Sequence, residues 1–418
     1  MEISRKKELE SLILRKHNGM IKVITGIRRC GKTYLLFNIF KNHLLAEGVA
    51  ESHIISINLD SMDNENLRDR HALYNFINSK IVDSEMHYVL LDEIQLVEGF
   101  EGVLNSLLHK NNLDVYVTGS NSKFLSKDII TEFRGRGDEV HVYPITFSQF
   151  MTVYNGDMYQ GLSAYMMYGG LPTQVLMATD QQKQAYLKTL FETTYIKDII
   201  ERNKIEKIGE LNSLINILAS SVGSLSNPSK IASTFKSVID SSISDNTVRQ
   251  YIEFLKDAFI VKEANRYDVK GRNYIGTPLK YYFEDVGLRN ARLGFRQFEE
   301  NHLMENIIYL ELLYRGFSVD VGVVEKREKD GNGASRRTQY EIDFVANLGS
   351  RRYYIQSAFN IYDEQKRKQE KASLISVGDS FKKIIIVKDV IKPWYDDDGI
   401  LTMSIYDFLL DDASLNSF

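Results

Sequence analysis

Eight residues constrain this chain more than any other feature. Gly26-Ile27-Arg28-Arg29-Cys30-Gly31-Lys32-Thr33 matches the pattern G-x-x-x-x-G-K-[ST] without departure. Before it, Ile21-Lys22-Val23-Ile24-Thr25 is short, mostly apolar and β-branched, as a buried parallel strand should be. After it, Tyr34 to Phe40 carries apolar residues on every face, as a core helix does. Strand, glycine loop and helix is the context that gives the pattern physical meaning. The glycines let successive backbone N–H groups converge on phosphate oxygens at the positive end of a helix. The expectation is a nucleotide site in which Lys32 reaches the β- and γ-phosphates of ATP and the Thr33 hydroxyl joins a Mg²⁺ shell. Gly26, Ile27, Arg28, Arg29, Cys30, Gly31 and Tyr34 complete the loop and the first helical turn.

A chain of 418 residues is too long for one ordinary domain. Its 43% hydrophobic and 26% charged content is that of a soluble globular protein. A net charge of −4 argues against coating by nucleic acid along the whole surface, while leaving room for a local basic face. One cysteine, Cys30, rules out a disulfide framework and fits a reducing, cytoplasmic setting. The first twenty residues lack an apolar core of signal-peptide length, and no apolar run is long enough to span a membrane.

About sixty residues past the loop, Tyr88-Val89-Leu90-Leu91-Asp92-Glu93 reads as a buried strand ending in two acids. In open α/β sheets that strand end faces the ligand crevice. Asp92 is then the expected Mg²⁺ ligand and Glu93 the residue that orients and polarises the attacking water. A further strand, Val115 to Thr118, leads into Gly119-Ser120-Asn121-Ser122, where Asn121 or Ser120 suits contact with the γ-phosphate, or equally a helix cap. Arg134 and Arg136, in a glycine-flanked loop, suit an arginine finger acting in cis or on a neighbouring subunit of a homo-oligomer. They also suit a solvated basic loop; of the two, Arg136 is the better candidate. Alternating strands and helices predict a doubly wound parallel sheet.

These motifs, with Tyr168-Gly169-Gly170-Leu171-Pro172, Tyr195-Ile196-Lys197-Asp198-Ile199 and Lys280 to Leu288, resemble a family of prokaryotic AAA-type ATPases along nearly the whole chain. Its members join an AAA core to a C-terminal region distantly similar to restriction-type nuclease folds. The resemblance implies ATP binding and hydrolysis and leaves the substrate open.

The expected organisation is an ATPase core at 1–145, a helical lid at 146–208, a winged helix-turn-helix at 209–298 and a nuclease-like α/β domain at 299–418. The winged-helix reading rests on helices near 211–218, 228–235 and 245–256, followed by a hairpin turning at Lys270-Gly271-Arg272. In a DNA-reading use of that fold, Asn246, Thr247, Arg249 and Gln250 meet the duplex and Arg266, Lys270 and Arg272 line the wing. From Leu225 to Lys280 nine Lys/Arg oppose six Asp/Glu, a modest surplus of three that also suits a protein-contact module. In the last domain, Glu305 or Glu311 on a helix and Asp343 in the strand Tyr340 to Val345 suit the acids of a nuclease. The following strand has Gln356 where an acid belongs and Ala358 where a lysine belongs, so cleavage is not expected. Alternatives are a metal-dependent nuclease under ATPase control, and an ATP-switched regulator with slow turnover and no DNA contact.

Overall fold

The computed structural model describes residues 3–119, 135–238, 243–329, 335–361 and 364–417. It divides into two compact units. The first is Met1–Ile145 with two short segments, Leu171–Thr173 and Asp257–Phe259; the second is the remainder.

In the first unit, β1 (Ile21–Thr25), β2 (Ile54–Asn58), β3 (His87–Asp92), β4 (Leu113–Thr118) and β5 (Gly137–His141) form one sheet in the order β2-β3-β4-β1-β5, as the alternating pattern predicts. Every pairing is parallel. Strands β1 and β3 are buried at every position, which explains their mostly apolar character; the buried Lys22 of β1 is paired with Asp114 of β4. One face packs on Leu73 and Ile77 of helix Arg70–Ser79 and on Val103, Leu104 and Leu107 of helix Phe100–Leu108. Each such side chain, fully buried, contributes about 1.5–3 kcal/mol. The helical stretch after β1 runs from Lys32 to Ala46, with a π-helical segment over Leu35–Phe40. On this side Phe40 meets Tyr116 of β4, ring centroids 4.5 Å apart.

This strand order inserts β4 between β1 and β3, the strands that carry the glycine loop and the acids. Since all five are parallel, their carboxyl ends share one edge, where ligands bind in open α/β sheets.

The second unit begins with helices, among them Met158–Tyr168, Asp180–Leu190 and Lys197–Asn203, and holds a mixed nine-stranded sheet. Its strands are β6 (Leu225–Ser226), β7 (Val261–Asp268), β8 (Asn273–Phe283), β9 (Ser318–Lys329), β10 (Ser335–Leu348), β11 (Arg351–Ala358), β12 (Lys382–Val387), β13 (Trp394–Tyr395) and β14 (Ile400–Ser404). Helices Ile208–Ser220, Pro228–Val238 and Asp245–Asp257 precede the β7–β8 hairpin, and β6 pairs with β8. The hairpin does not stand apart from the C-terminal strands: β7 pairs in parallel with β9, so one sheet crosses residue 298.

Two motifs of the sequence explain each other here. Asp285 caps helix Val286–Arg292 by accepting from Leu288 N–H at 2.9 Å, and also accepts from Gly170 N–H at 2.7 Å. A Cβ on Gly287 would lie 2.0 Å from the Tyr168 carbonyl oxygen, so only glycine permits this approach. Burial pushes the Asp285 carboxyl up to about 6, against the pull of the backbone N–H groups it accepts from. Among the described residues no helix is long and apolar enough to cross a membrane.

Candidate active site

The turn out of β1 is shaped by backbone that few residues adopt. Gly26 has φ 136°, and a Cβ there would lie 2.1 Å from the Val142 carbonyl oxygen. Arg29 and Gly31 also have positive φ, at 64° and 102°. Such alternation makes a concave nest of N–H groups. Ile27 and Cys30 point their side chains into the core, so only their backbones face a ligand, while Arg29, Thr33 and Tyr34 are exposed. Lys32 is buried and its ammonium donates to the carbonyls of Gly26 at 2.8 Å and Ile27 at 3.1 Å. That uses two of its three N–H donors and centres the charge beneath the loop.

Asp92, the last residue of β3, is 3% exposed and is the hub of the site. Thr33 Oγ1 donates toward both of its oxygens at 3.0 Å. Thr118, at the end of β4, donates to Asp92 Oδ1 at 2.6 Å and accepts from Glu93 N–H at 3.0 Å. Burial pushes the Asp92 carboxyl up, the Thr118 hydroxyl opposes this, and the neighbouring charge of Glu93 adds to it. Glu93 holds a left-handed backbone, φ 54° and ψ 46°, a strained state for a non-glycine residue of the kind that gathers at functional sites. Gln95 donates to its carboxylate. A hydroxyl beside a carboxylate is an all-oxygen donor set, which fits Mg²⁺.

The structure thus brings together Lys32, Thr33, Asp92 and Glu93 and adds Thr118, which sequence reasoning passed over in favour of the residues after it. Leu91 pairs with Val117 in the ladder, so the next rung sets Asp92 beside Thr118. Asn121, Ser120 and Arg134 lie outside the described residues.

A model of the AAA domain matches residues 18–151, and a model of a domain of unknown function matches residues 159–299. A Haemophilus influenzae protein, described as uncharacterized, is 35% identical over 417 residues, covering 98% of each chain. The chain belongs to the AAA family of P-loop ATPases. An uncharacterized Methanocaldococcus jannaschii protein is 27% identical, over 97% of this AAA protein and 90% of the relative. The Aeropyrum pernix ORC1 protein, solved in complex with DNA, is 12% identical, covers 70% of this chain and 92% of that one, and has a TM-score of 0.30, too loose a likeness to carry an argument.

Elsewhere in this AAA protein two sequence expectations are corrected, for Arg136 and Arg266. Arg136 is exposed, but its carbonyl accepts from Ile21 N–H at 2.9 Å, beside the start of β1. That is the sheet edge opposite the loop, roughly 15 Å of strand away, so a role in cis falls. Arg266 does not line the wing surface: it is 6% exposed and donates to Gln339 Oε1 at 3.3 Å. Thr247 is partly exposed, with its hydroxyl 2.9 Å from Ser244 Oγ in the cap of its own helix. Asn246, Arg249, Gln250, Lys270 and Arg272 are exposed.

The carboxylates near β10 hold a residue to which sequence reasoning gave no role at this site. Lys280, on β8, is 3% exposed, and its ammonium lies 2.9 Å from Glu305, 2.9 Å from Glu341 and 3.5 Å from Asp343. Glu311 is elsewhere, paired with Arg315 at 2.7 Å. Burial alone would lower the Lys280 ammonium; the three carboxylates outweigh that and raise it. Burial, with the charge of Glu305, pushes Asp343 up to about 7, against the pull of Lys280. The aspartate turn at 396–398 is likewise occupied by a lysine, Lys371, at 2.8 Å from Asp396 and 2.6 Å from Asp398. His53, Asp83 and His87 come close enough to share a metal, but both ring nitrogens of His87 are already bonded, to Val82 N–H and Glu85 O.

The Asp343 shift has a pH signature. Its folded value lies above the ordinary value of about 3.9, so charging it costs stability as pH rises through that interval. Urea unfolding of Asp343→Asn against wild type should show the variant gaining relative stability from about pH 4 to about pH 7, then no further gain. A difference that is flat, or that falls with pH, would contradict the shift.

Proposed function

We propose that this chain is a Mg²⁺-dependent ATPase whose nucleotide state governs binding of DNA by its second unit. The observation that carries the ATPase reading is Asp92, which the Thr33 hydroxyl of the phosphate loop and the Thr118 hydroxyl of β4 both reach. In this reading the loop N–H groups and Lys32 bind the phosphates. Thr33 and Asp92 hold Mg²⁺, which when bound supplies charge stabilisation at the transferring phosphoryl group. Glu93 sits one residue beyond the metal carboxylate, with its backbone fixed by Thr118, and accepts a proton from the attacking water. Arg136 lies at the wrong edge for its own chain's nucleotide, so an arginine-finger role for it requires a neighbouring copy.

The DNA reading rests on three helices followed by a hairpin, the element order of a winged helix. Asn246, Arg249 and Gln250 are exposed along helix Asp245–Asp257, and Lys270 and Arg272 at the hairpin turn. Nuclease activity is not part of the proposal. The Lys280 ammonium is buried and surrounded by three carboxylates, so it is not free to steady a leaving group or position water.

Glu93→Gln should lower the rate of phosphate release by about 10²-fold or more while leaving ATP affinity nearly unchanged; turnover equal to wild type would sink the assignment. For DNA, fluorescence anisotropy on a labelled duplex should show affinity falling steeply with salt. Replacing Arg249, Lys270 and Arg272 by Ala should flatten the log–log slope by about one for each phosphate no longer neutralised. A slope indifferent to those changes would point to a protein partner instead.

A further inference from the structure

One buried side chain far from the loop in sequence is tied directly to it. Arg5 precedes helix Lys6–Ile13 and is 6% exposed. Its Nη2 donates to the Cys30 carbonyl at 2.6 Å, and its Nη1 to the Tyr143 carbonyl at 3.0 Å and to Glu8 Oε1 at 2.8 Å. A guanidinium is expensive to bury alone, and Glu8, itself buried, supplies the opposite charge. The arginine therefore clamps the phosphate loop to the segment that follows β5. That same segment fits against Gly26, where no side chain has room.

The bond to Cys30 sets the direction of the next N–H group. A trans peptide is planar, with C=O and N–H on opposite sides. Holding the Cys30 carbonyl toward Arg5 turns the Gly31 N–H away from it. Gly31 and Arg29 supply the positive φ values that make successive N–H groups converge.

We propose that Arg5 is a positioning residue for nucleotide binding: it fixes the Cys30–Gly31 peptide so that the Gly31 N–H is presented to the phosphates. The inference rests on the ATP-binding reading above. It also says why an arginine stands there. Two carbonyls and a carboxylate lie in different directions, and a rigid fork of donors reaches all three where a single ammonium does not. A contact that orients the loop acts on bound substrate and transition state alike, so it governs KM and leaves kcat alone.

The test uses Arg5→Lys and the double variant Arg5→Leu with Glu8→Leu, which removes both charges of the buried pair. Calorimetric titration with Mg-ATP and steady-state turnover are compared with wild type, alongside thermal unfolding without nucleotide. The double variant should show Kd and KM for ATP raised about tenfold or more, equal to about 1.4 kcal/mol. Arg5→Lys should show a smaller rise, and kcat should stay within about twofold of wild type in both. Unchanged Kd in either folded variant overturns the proposal, as does a loss confined to kcat. Absence of ATP binding by wild type removes the nucleotide reading itself; weakened binding in Lys32→Ala but not in the Arg5 variants removes the role of Arg5 alone.

Discussion

The carboxyl edge of the sheet in the first unit depends on one buried carboxylate. Asp92 is joined by hydroxyls from Thr33, on the helix after β1, and Thr118, at the end of β4. These three residues come from segments separated by 59 and 26 positions in the chain. A parallel sheet with β4 inserted between β1 and β3 is what makes their ends coincide. Burial alone would favour the neutral acid, and the two hydroxyls oppose that by hydrogen bonding to the charged form. The same Thr118 accepts from the N–H of Glu93, whose backbone is strained, so one rung of the sheet sets the placement of both acids.

The acidic cluster on the sheet of the second unit is held differently from Asp92. Around Asp92 the partners are neutral hydroxyls, which leave the negative charge available to a hard cation. Around Glu305, Glu341 and Asp343 the partner is the Lys280 ammonium, a cation already in place. Lys371 plays the same part between Asp396 and Asp398. Removing Lys280 would leave crowded, largely buried carboxylates uncompensated, which costs far more than the pair gains when intact.

Much of the first unit was legible because its signals are local. The glycine loop, the strand before it and the acids ending β3 each sit within a few consecutive residues, and pattern alone finds them. Thr118 was hidden because a threonine at a strand end has no signature until its neighbour in the ladder is known. Arg5 lies 25 residues from the carbonyl it holds, and Lys280 lies 63 from Asp343, so neither contact shows in a local pattern. The union of β7 with β9 was hidden for the same reason: strands pair by non-local contact, and the hairpin alone reads as a finished module. Arg266 looked like a wing residue by composition; its burial against Gln339 depends on that union. The π-helical segments Leu35–Phe40 and Phe191–Ile196 left no trace in the apolar spacing, which accommodates either helix.

The proposed metal binding at this edge stands or falls with Asp92. The most direct measurement is the Mg²⁺ concentration dependence of ATP turnover in wild type and in Asp92→Asn, which keeps the shape and the hydrogen-bonding capacity but removes the charge. The variant should need about tenfold more Mg²⁺ or higher to reach half its maximal rate. An unchanged Mg²⁺ requirement would show that the cation is held elsewhere and would contradict the assignment of this edge.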